Sequence, residues 1–177
     1  MKQEQYSWNI HEQNIKKEQE NFKPSAPKIK ITDNLDLRNT MEQALEQIPH
    51  SLLAKWALEV ASPCLVHLDD HLTDDPRINL GIQTLQQRID GKIRAFDLRK
   101  VGFVVNELAK ESTTDISRWA ARSFAQAIAT GHMRGHALVS SDYAVKVINA
   151  LTDNSIESAT DERQRHLNII RDWSNRL

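Results

Sequence analysis

Ser123-Phe-Ala-Gln-Ala-Ile-Ala-Thr-Gly-His132-Met-Arg-Gly-His136-Ala-Leu-Val-Ser-Ser-Asp-Tyr-Ala-Val-Lys-Val-Ile-Asn149 decides how this chain is read. Ala125, Ala127, Ala129, Gly131, Gly135, Ala137, Ser140, Ser141 and Ala144 carry little or no side chain. Backbone can therefore approach backbone, and the region reads as closely packed helix. The Gly131-to-Gly135 spacing matches the small-xxx-small pattern of close helix crossings, which places Gly135 where two helices meet. His132 and His136 stand four residues apart inside this run, with few routes to water. They are expected to be mostly buried and hydrogen-bonded to backbone or to hydroxyls such as Thr130, Ser140 or Tyr143, because a buried ring left unpaired costs about 1–3 kcal/mol.

Outward from this stretch, five prolines and five glycines in 177 residues leave few breaks, and apolar positions recur at three- and four-residue spacing. The fold expected is all-α: a single-domain bundle of about seven helices with an N-terminal arm. Residues 1–32 read as a polar arm and linker, mobile or partner-dependent, because Tyr6, Trp8, Ile10 and Ile15 give it only a thin apolar side. Pro24, Pro27 and the Lys28-Ile29-Lys30-Ile31 alternation cannot continue a helix. Residues 33–177 form the helical domain, with helices near 34–48, 51–71, 76–90, 93–110, 114–131, 134–151 and 159–174. Asp75 before Pro76 reads as an N-cap followed by proline at the first helical position, and Thr113-Thr114-Asp115 as a second hydroxyl-capped start. Gly91 closes the helix between them. In 93–110, Ile93, Phe96, Val101, Val104, Val105 and Leu108 are expected on one core-facing side. Trp56, Trp119 and Trp173 read as core residues.

Lys plus Arg total 23 against 24 for Asp plus Glu, a net charge of −1, and no segment is basic enough to follow a phosphate backbone. Nucleic acid is therefore not expected as a partner. The single cysteine, Cys64, excludes an internal disulfide framework and suits a reducing compartment. Met1 to Glu20 lack the apolar core of a secretory signal, and nowhere do 18 apolar residues run together, so a cytoplasmic protein without membrane association is expected.

His132 and His136 could hold a metal through two imidazoles, yet Met133 stands where zinc helices usually supply a glutamate. His67 and His71, beside Asp69, Asp70, Asp74 and Asp75, read as an exposed helix end followed by the cap of the next helix. Neither pair is taken as a metal site, no cofactor is implied, and no serine or cysteine stands in a nucleophile pattern.

Four blocks resemble the family of putative immunity proteins of bacterial polymorphic toxin systems. Trp56-Ala57-Leu58-Glu59-Val60-Ala61 is similar to its early Trp-Ala-x-x-x-Ala helix, and Asp74-Asp75-Pro76-Arg77 with Ile82 to its Asp-Asp-x-Pro-Arg helix start. Ala129 to Leu138, Ala-Thr-Gly-His-Met-Arg-Gly-His-Ala-Leu, resembles its Ala-Thr-Ala-His-Val-x-Gly-His-Ala-Leu segment, and Glu162 to Trp173 its closing charged helix. The likeness spans residues 52–173 in order, with Gly131 in place of the usual alanine and Ala125-Gln126 where many members carry Gly-His. It implies a non-enzymatic protein that neutralises a cognate toxin by direct binding, and makes Trp56, Asp75, Pro76, Thr130, His132, Gly135 and His136 motif residues of structural role. The binding surface is expected at the charged rim of His67, Asp69, Asp70, Asp74 and Arg77. Two other functions stay open. One is a helical metal-binding protein or enzyme using the paired histidines; the other is a homo-oligomeric scaffold or regulator joined through Tyr6, Trp8 and Ile10.

Overall fold

Prolines and left-handed residues punctuate this chain where helices must stop, and the capping residues around them set the register of each new helix. The computed structural model describes residues 1–19 and 21–174. In order these form α1 (Gln3–Tyr6), α2 (Ile10–Glu18), α3 (Leu35–Leu45), α4 (His50–Ala61), 3-10 turns at Ser62–His67 and Asp70–Leu72, α5 (Pro76–Ile89), α6 (Ala95–Glu111), α7 (Asp115–Ala129), α8 (Gly135–Leu151) and α9 (Ile156–Ser174). Among the described residues there is no strand, and the fold is all-α.

The caps act where the sequence puts them. Asp75 accepts the Arg77 N–H ahead of Pro76 at the start of α5, and Thr114 accepts the Ser117 N–H at the start of α7. Gly91 adopts φ +71° after α5. There Gly91 N–H bonds Arg88 O and Lys92 N–H bonds Gln87 O, the paired return that a left-handed residue permits. The helix expected over 51–71 is shorter. It ends at Ala61 because Pro63 has no N–H to give and its ring crowds the carbonyl four residues back, so the chain tightens into 3-10 turns. His67 and His71 consequently lie in separate turns, not on one helix face.

α7 is the central helix, packed against α8 most extensively and also against α6 and α4; α5 lies on α6, and α9 on α8 and α3. Trp56, Phe124, Leu98, Val105 and Leu108 fill the core between them, with Trp119 and Trp173 packed on its edge. The small-residue seam is real at the α7–α8 contact, where Ser123 Oγ donates to Ser140 O at 2.9 Å and Ser140 Oγ returns the bond to Ser123 O at 2.8 Å. The closely packed glycine of the run is Gly131, not Gly135, and it faces α5 and α6 rather than the α7–α8 seam. A Cβ on Gly131 would meet Leu85 and Leu98 at 2.8 Å, whereas Gly135 is exposed with nothing within 4 Å. Gly131 thus lets the end of α7 approach the leucines of α5 and α6, and neither glycine marks the helix crossing that the Gly-xxx-Gly spacing indicated. Phe96 and Val104 depart from expectation too. They are exposed, because α6 packs chiefly against α7 and α5, and Leu98, Val105, Leu108 and Ala109 form its buried face.

The N-terminal arm sits against the body. Trp8 stacks on the His50 ring at 4.3 Å, Tyr6 Oη donates to Glu46 at 3.0 Å, and Glu12 accepts the Arg134 and Gly135 N–H groups at 3.0 and 3.2 Å. A carboxylate at the positive end of α8 is the placement a helix dipole favours. Arg134, 6% exposed, donates to Ile48 O and Leu45 O and lies over the Tyr6 ring. Tyr6 and Trp8 hold the arm because each brings a polar contact, which hydrophobic patterning alone does not register, while Ile10 and Ile15 stay exposed.

Candidate functional site

The acidic rim divides into carboxylates that hold the fold and carboxylates that face out. Asp69 follows the 3-10 turn and reaches across to the loop before α7, accepting from Thr113 N–H at 2.6 Å, Thr113 Oγ1 at 2.9 Å and Thr114 Oγ1 at 2.7 Å. Partial burial opposes its charge, but these hydrogen bonds prevail and hold its acid well below the usual carboxylate range. Asp69, partly exposed on the rim, also serves as a cap for the α6–α7 turn. Asp75 is likewise occupied, paired with Arg77 at 2.7 Å, while Arg77 spans onward to Glu111 on α6. The hydrogen bonds it donates to Glu111 and then to Asp75 raise the Arg77 guanidinium above its ordinary range. Asp70 and Asp74 are exposed and make no side-chain bond among the described residues, and His67 beside them is half-buried.

At the other end of the α6–α7 hairpin, a cleft of about 230 Å³ opens between the two helices and is closed by His132 and His136. The two rings lie 4.9 Å apart, His132 in the turn after α7 and His136 in the first turn of α8. Both are half-buried. His136 Nδ1 donates to Gln126 Oε1 at 2.6 Å, a side-chain amide rather than the backbone or hydroxyl partner expected. His132 Nδ1 is buried and has no partner among the described residues. Burial first, then the positive charge of His136, Arg99 and Arg88, pushes the His132 ring down to about 4, so it is neutral at pH 7. Burial also lowers His136.

The other motif residues are structural in placement. Trp56 donates its indole N–H to His166 O at 3.0 Å, and Thr130 O accepts from His50 Nε2 at 2.6 Å. Asp75 and Pro76 start α5, and Gly135 presents its N–H to Glu12.

Two buried polar clusters escape sequence reading altogether. In the first, Arg38 of α3 makes a fork to Asp142 of α8, both bonds 2.9 Å, and Arg163 of α9 joins Asp142 at 2.6 Å and Asp33 at 2.7 Å. Two guanidinium groups and two carboxylates thus balance with almost no exposure. In the second, Ser141 Oγ lies 2.8 Å from His166 Nδ1, and His166 Nε2 lies 2.8 Å from Glu162. Serine, histidine and glutamate in line resemble a hydrolytic relay. Here Ser141 and His166 are 0% exposed, Arg163 donates to the same hydroxyl, and Trp56 covers the ring edge-on. A substrate carbonyl has no path to Ser141, so the relay fastens α8 to α9. Cys64 is equally sealed, its thiol pushed up to about 12 by burial and then by Glu162. Among the described residues no three histidine, cysteine, aspartate or glutamate side chains converge as metal ligands, and no helix is long and apolar enough to cross a membrane.

The profile of the family described as Imm-5 like putative immunity protein matches residues 43–172. No curated protein and no solved structure matches the chain.

Proposed function

We propose, from the premise that this chain belongs to the Imm-5 like putative immunity protein family, that it protects its own cell by binding a toxin protein directly and carries out no reaction of its own. The family match over residues 43–172 is the observation that carries this reading. The geometry supports it from the other side. Groups that resemble reactive machinery, Ser141, His166 and Cys64, are enclosed in the core, while the unpaired charged and aromatic groups lie on the outside. Noncovalent capture asks for such a surface on a rigid frame. Asp70 and Asp74, with His67 and Arg77 beside them, are proposed contacts at one end of the α6–α7 hairpin, suited to a basic patch on the toxin. Asp69 and Asp75 serve the fold.

The test is co-expression with the reading frame beside the gene. Cells expressing that product alone should stop growing, cells expressing both should grow, and the two proteins should co-purify at a fixed ratio. A neighbouring product that is toxic, yet is neither bound nor neutralised, overturns the proposal.

A further inference from the structure

From α5 to α8 the arginines nearly all have partners, and the exceptions meet in one place. Arg77, Arg94 and Arg118 pair with carboxylates, and Arg88 and Arg134 are satisfied by backbone carbonyls. Arg99 makes no hydrogen bond or ion pair among the described residues, and Arg122 only donates to Asn106 Oδ1 at 2.8 Å. Both line the cleft that His132 and His136 close, and no carboxylate lines it. The nearest acid on the histidine side, Glu12, is held by the α8 N-terminus and by Ser7. The cleft therefore gathers two guanidinium groups and the buried, partnerless His132 Nδ1 with no negative charge to meet them. A buried ring nitrogen without a partner is costly. With the proton of the neutral ring on Nδ1 it can donate to an anion, which also gains charge-assisted bonds from the arginines in a setting drier than bulk water.

The walls indicate what brings the anion. Phe103, 66% exposed, lines the cleft, and Phe96, 58% exposed, stands seven residues earlier on the same stripe of α6. Aromatic rings beside arginine are the usual anchors of protein interfaces, and a free inorganic anion has no use for them.

We infer that this cleft receives an acidic side chain of the bound protein, its carboxylate taken by Arg99, Arg122 and His132 Nδ1 and its flanking residues covered by Phe96 and Phe103. The inference rests on the toxin-binding reading for the identity of the partner, but the chemistry can be tested without the toxin. The intact chain is titrated with the peptide N-acetyl-Phe-Glu-Phe-amide, with its Gln counterpart, and with inorganic phosphate, while the imidazole signals of His132 and His136 are followed by NMR. The Glu peptide should shift both rings saturably, and the Gln peptide should bind about tenfold more weakly or worse, the loss of one charge-assisted bond. Arg99→Glu, at an exposed position without an intramolecular bond, should abolish the shift with an unchanged melting temperature, and Arg99→Lys should keep part of it. Equal binding of the two peptides, or no saturable shift, overturns the inference. Phosphate producing the same shifts more tightly than the peptide overturns the protein partner in favour of a small anion. Cells protected as well by Arg99→Glu as by the parent sink the cleft and leave toxin binding standing. Peptide binding by a chain that neutralises no toxin does the reverse.

Discussion

Replacing Gly131 by alanine tests how closely the end of α7 packs against α5 and α6. The added methyl would meet Leu85 Cδ1 and Leu98 Cδ2 at 2.8 Å, closer than real carbon contacts come. Both leucines are 0% exposed, so neither can swing into solvent, and each must move into packed neighbours. Overpacking of this kind costs about 1–3 kcal/mol. For a chain of this size that lowers the melting temperature by roughly 2–12 °C, at about 2–4 °C per kcal/mol. The matched control is Gly135→Ala. Gly135 is exposed at the first position of α8, its Cβ would meet nothing within 4 Å, and alanine favours helix over glycine by up to about 1 kcal/mol. Calorimetry on the two variants should therefore show Gly131→Ala below the parent and Gly135→Ala level with it or above. Equal melting temperatures, or the reverse order, would refute the close packing assigned to Gly131.

Asp142→Asn removes the carboxylate between Arg38 and Arg163 and leaves buried guanidinium charge uncompensated, so urea unfolding should show a loss of about 3–5 kcal/mol. Asp69→Lys should destabilise by about 0.5–2 kcal/mol through its cap, whereas Asp70→Lys with Asp74→Lys should leave the urea midpoint unchanged and weaken only toxin binding. Acid should also loosen the fold. His50 and His166 are buried at 0% exposure, and burial first of all pushes each down to about 4 from an ordinary 6.5. A depressed folded-state value means the contribution is complete above pH 6.5 and is lost as pH falls toward 4, on the order of 3 kcal/mol per ring. Urea midpoints across that window should fall, and less steeply in His50→Phe; a flat profile in the parent would show that the rings are charged when folded.

What the sequence made legible was local. Asp75 before Pro76, Thr114 before Asp115 and Gly91 after Ile89 each act within one helical turn, so a reader of neighbouring residues can find them. α6 was legible as a helix but not as to its exposed face, since Phe96, Phe103 and Val104 are as apolar as Leu98, Val105 and Leu108, and only the positions of α5 and α7 decide which stripe is covered. The buried clusters were not legible. Arg38 and Asp142 lie 104 residues apart, Arg163 and Asp33 lie 130 apart, and nothing in the local pattern distinguishes them from surface charges. The small-residue run announced a close α7–α8 contact correctly, yet spacing alone could not say which of its two glycines meets a neighbour.

The histidines show how polar accounting separates structure from site. His50 accepts the Trp8 N–H on Nδ1 at 2.9 Å, so its Nε2 carries the proton that Thr130 O receives, and both nitrogens are spent on holding the arm and the α7 end together. His166 spends both on Ser141 and Glu162, with the proton on Nε2 facing a carboxylate held down to about 2, an acid kept ionised by Arg165 and His166 despite burial. His136 spends Nδ1 on Gln126. His132 alone in this group keeps a buried nitrogen without a partner among the described residues. Burial is therefore not what marks a candidate site here, since the two most buried rings are the most fully occupied. The mark is a polar atom shielded from water and left unsatisfied by the fold, in a cleft whose two arginines have no carboxylate partner among the described residues. A fold that, among the described residues, satisfies its other buried side-chain polar atoms tolerates the orphan at His132 most readily if another molecule supplies the missing partner.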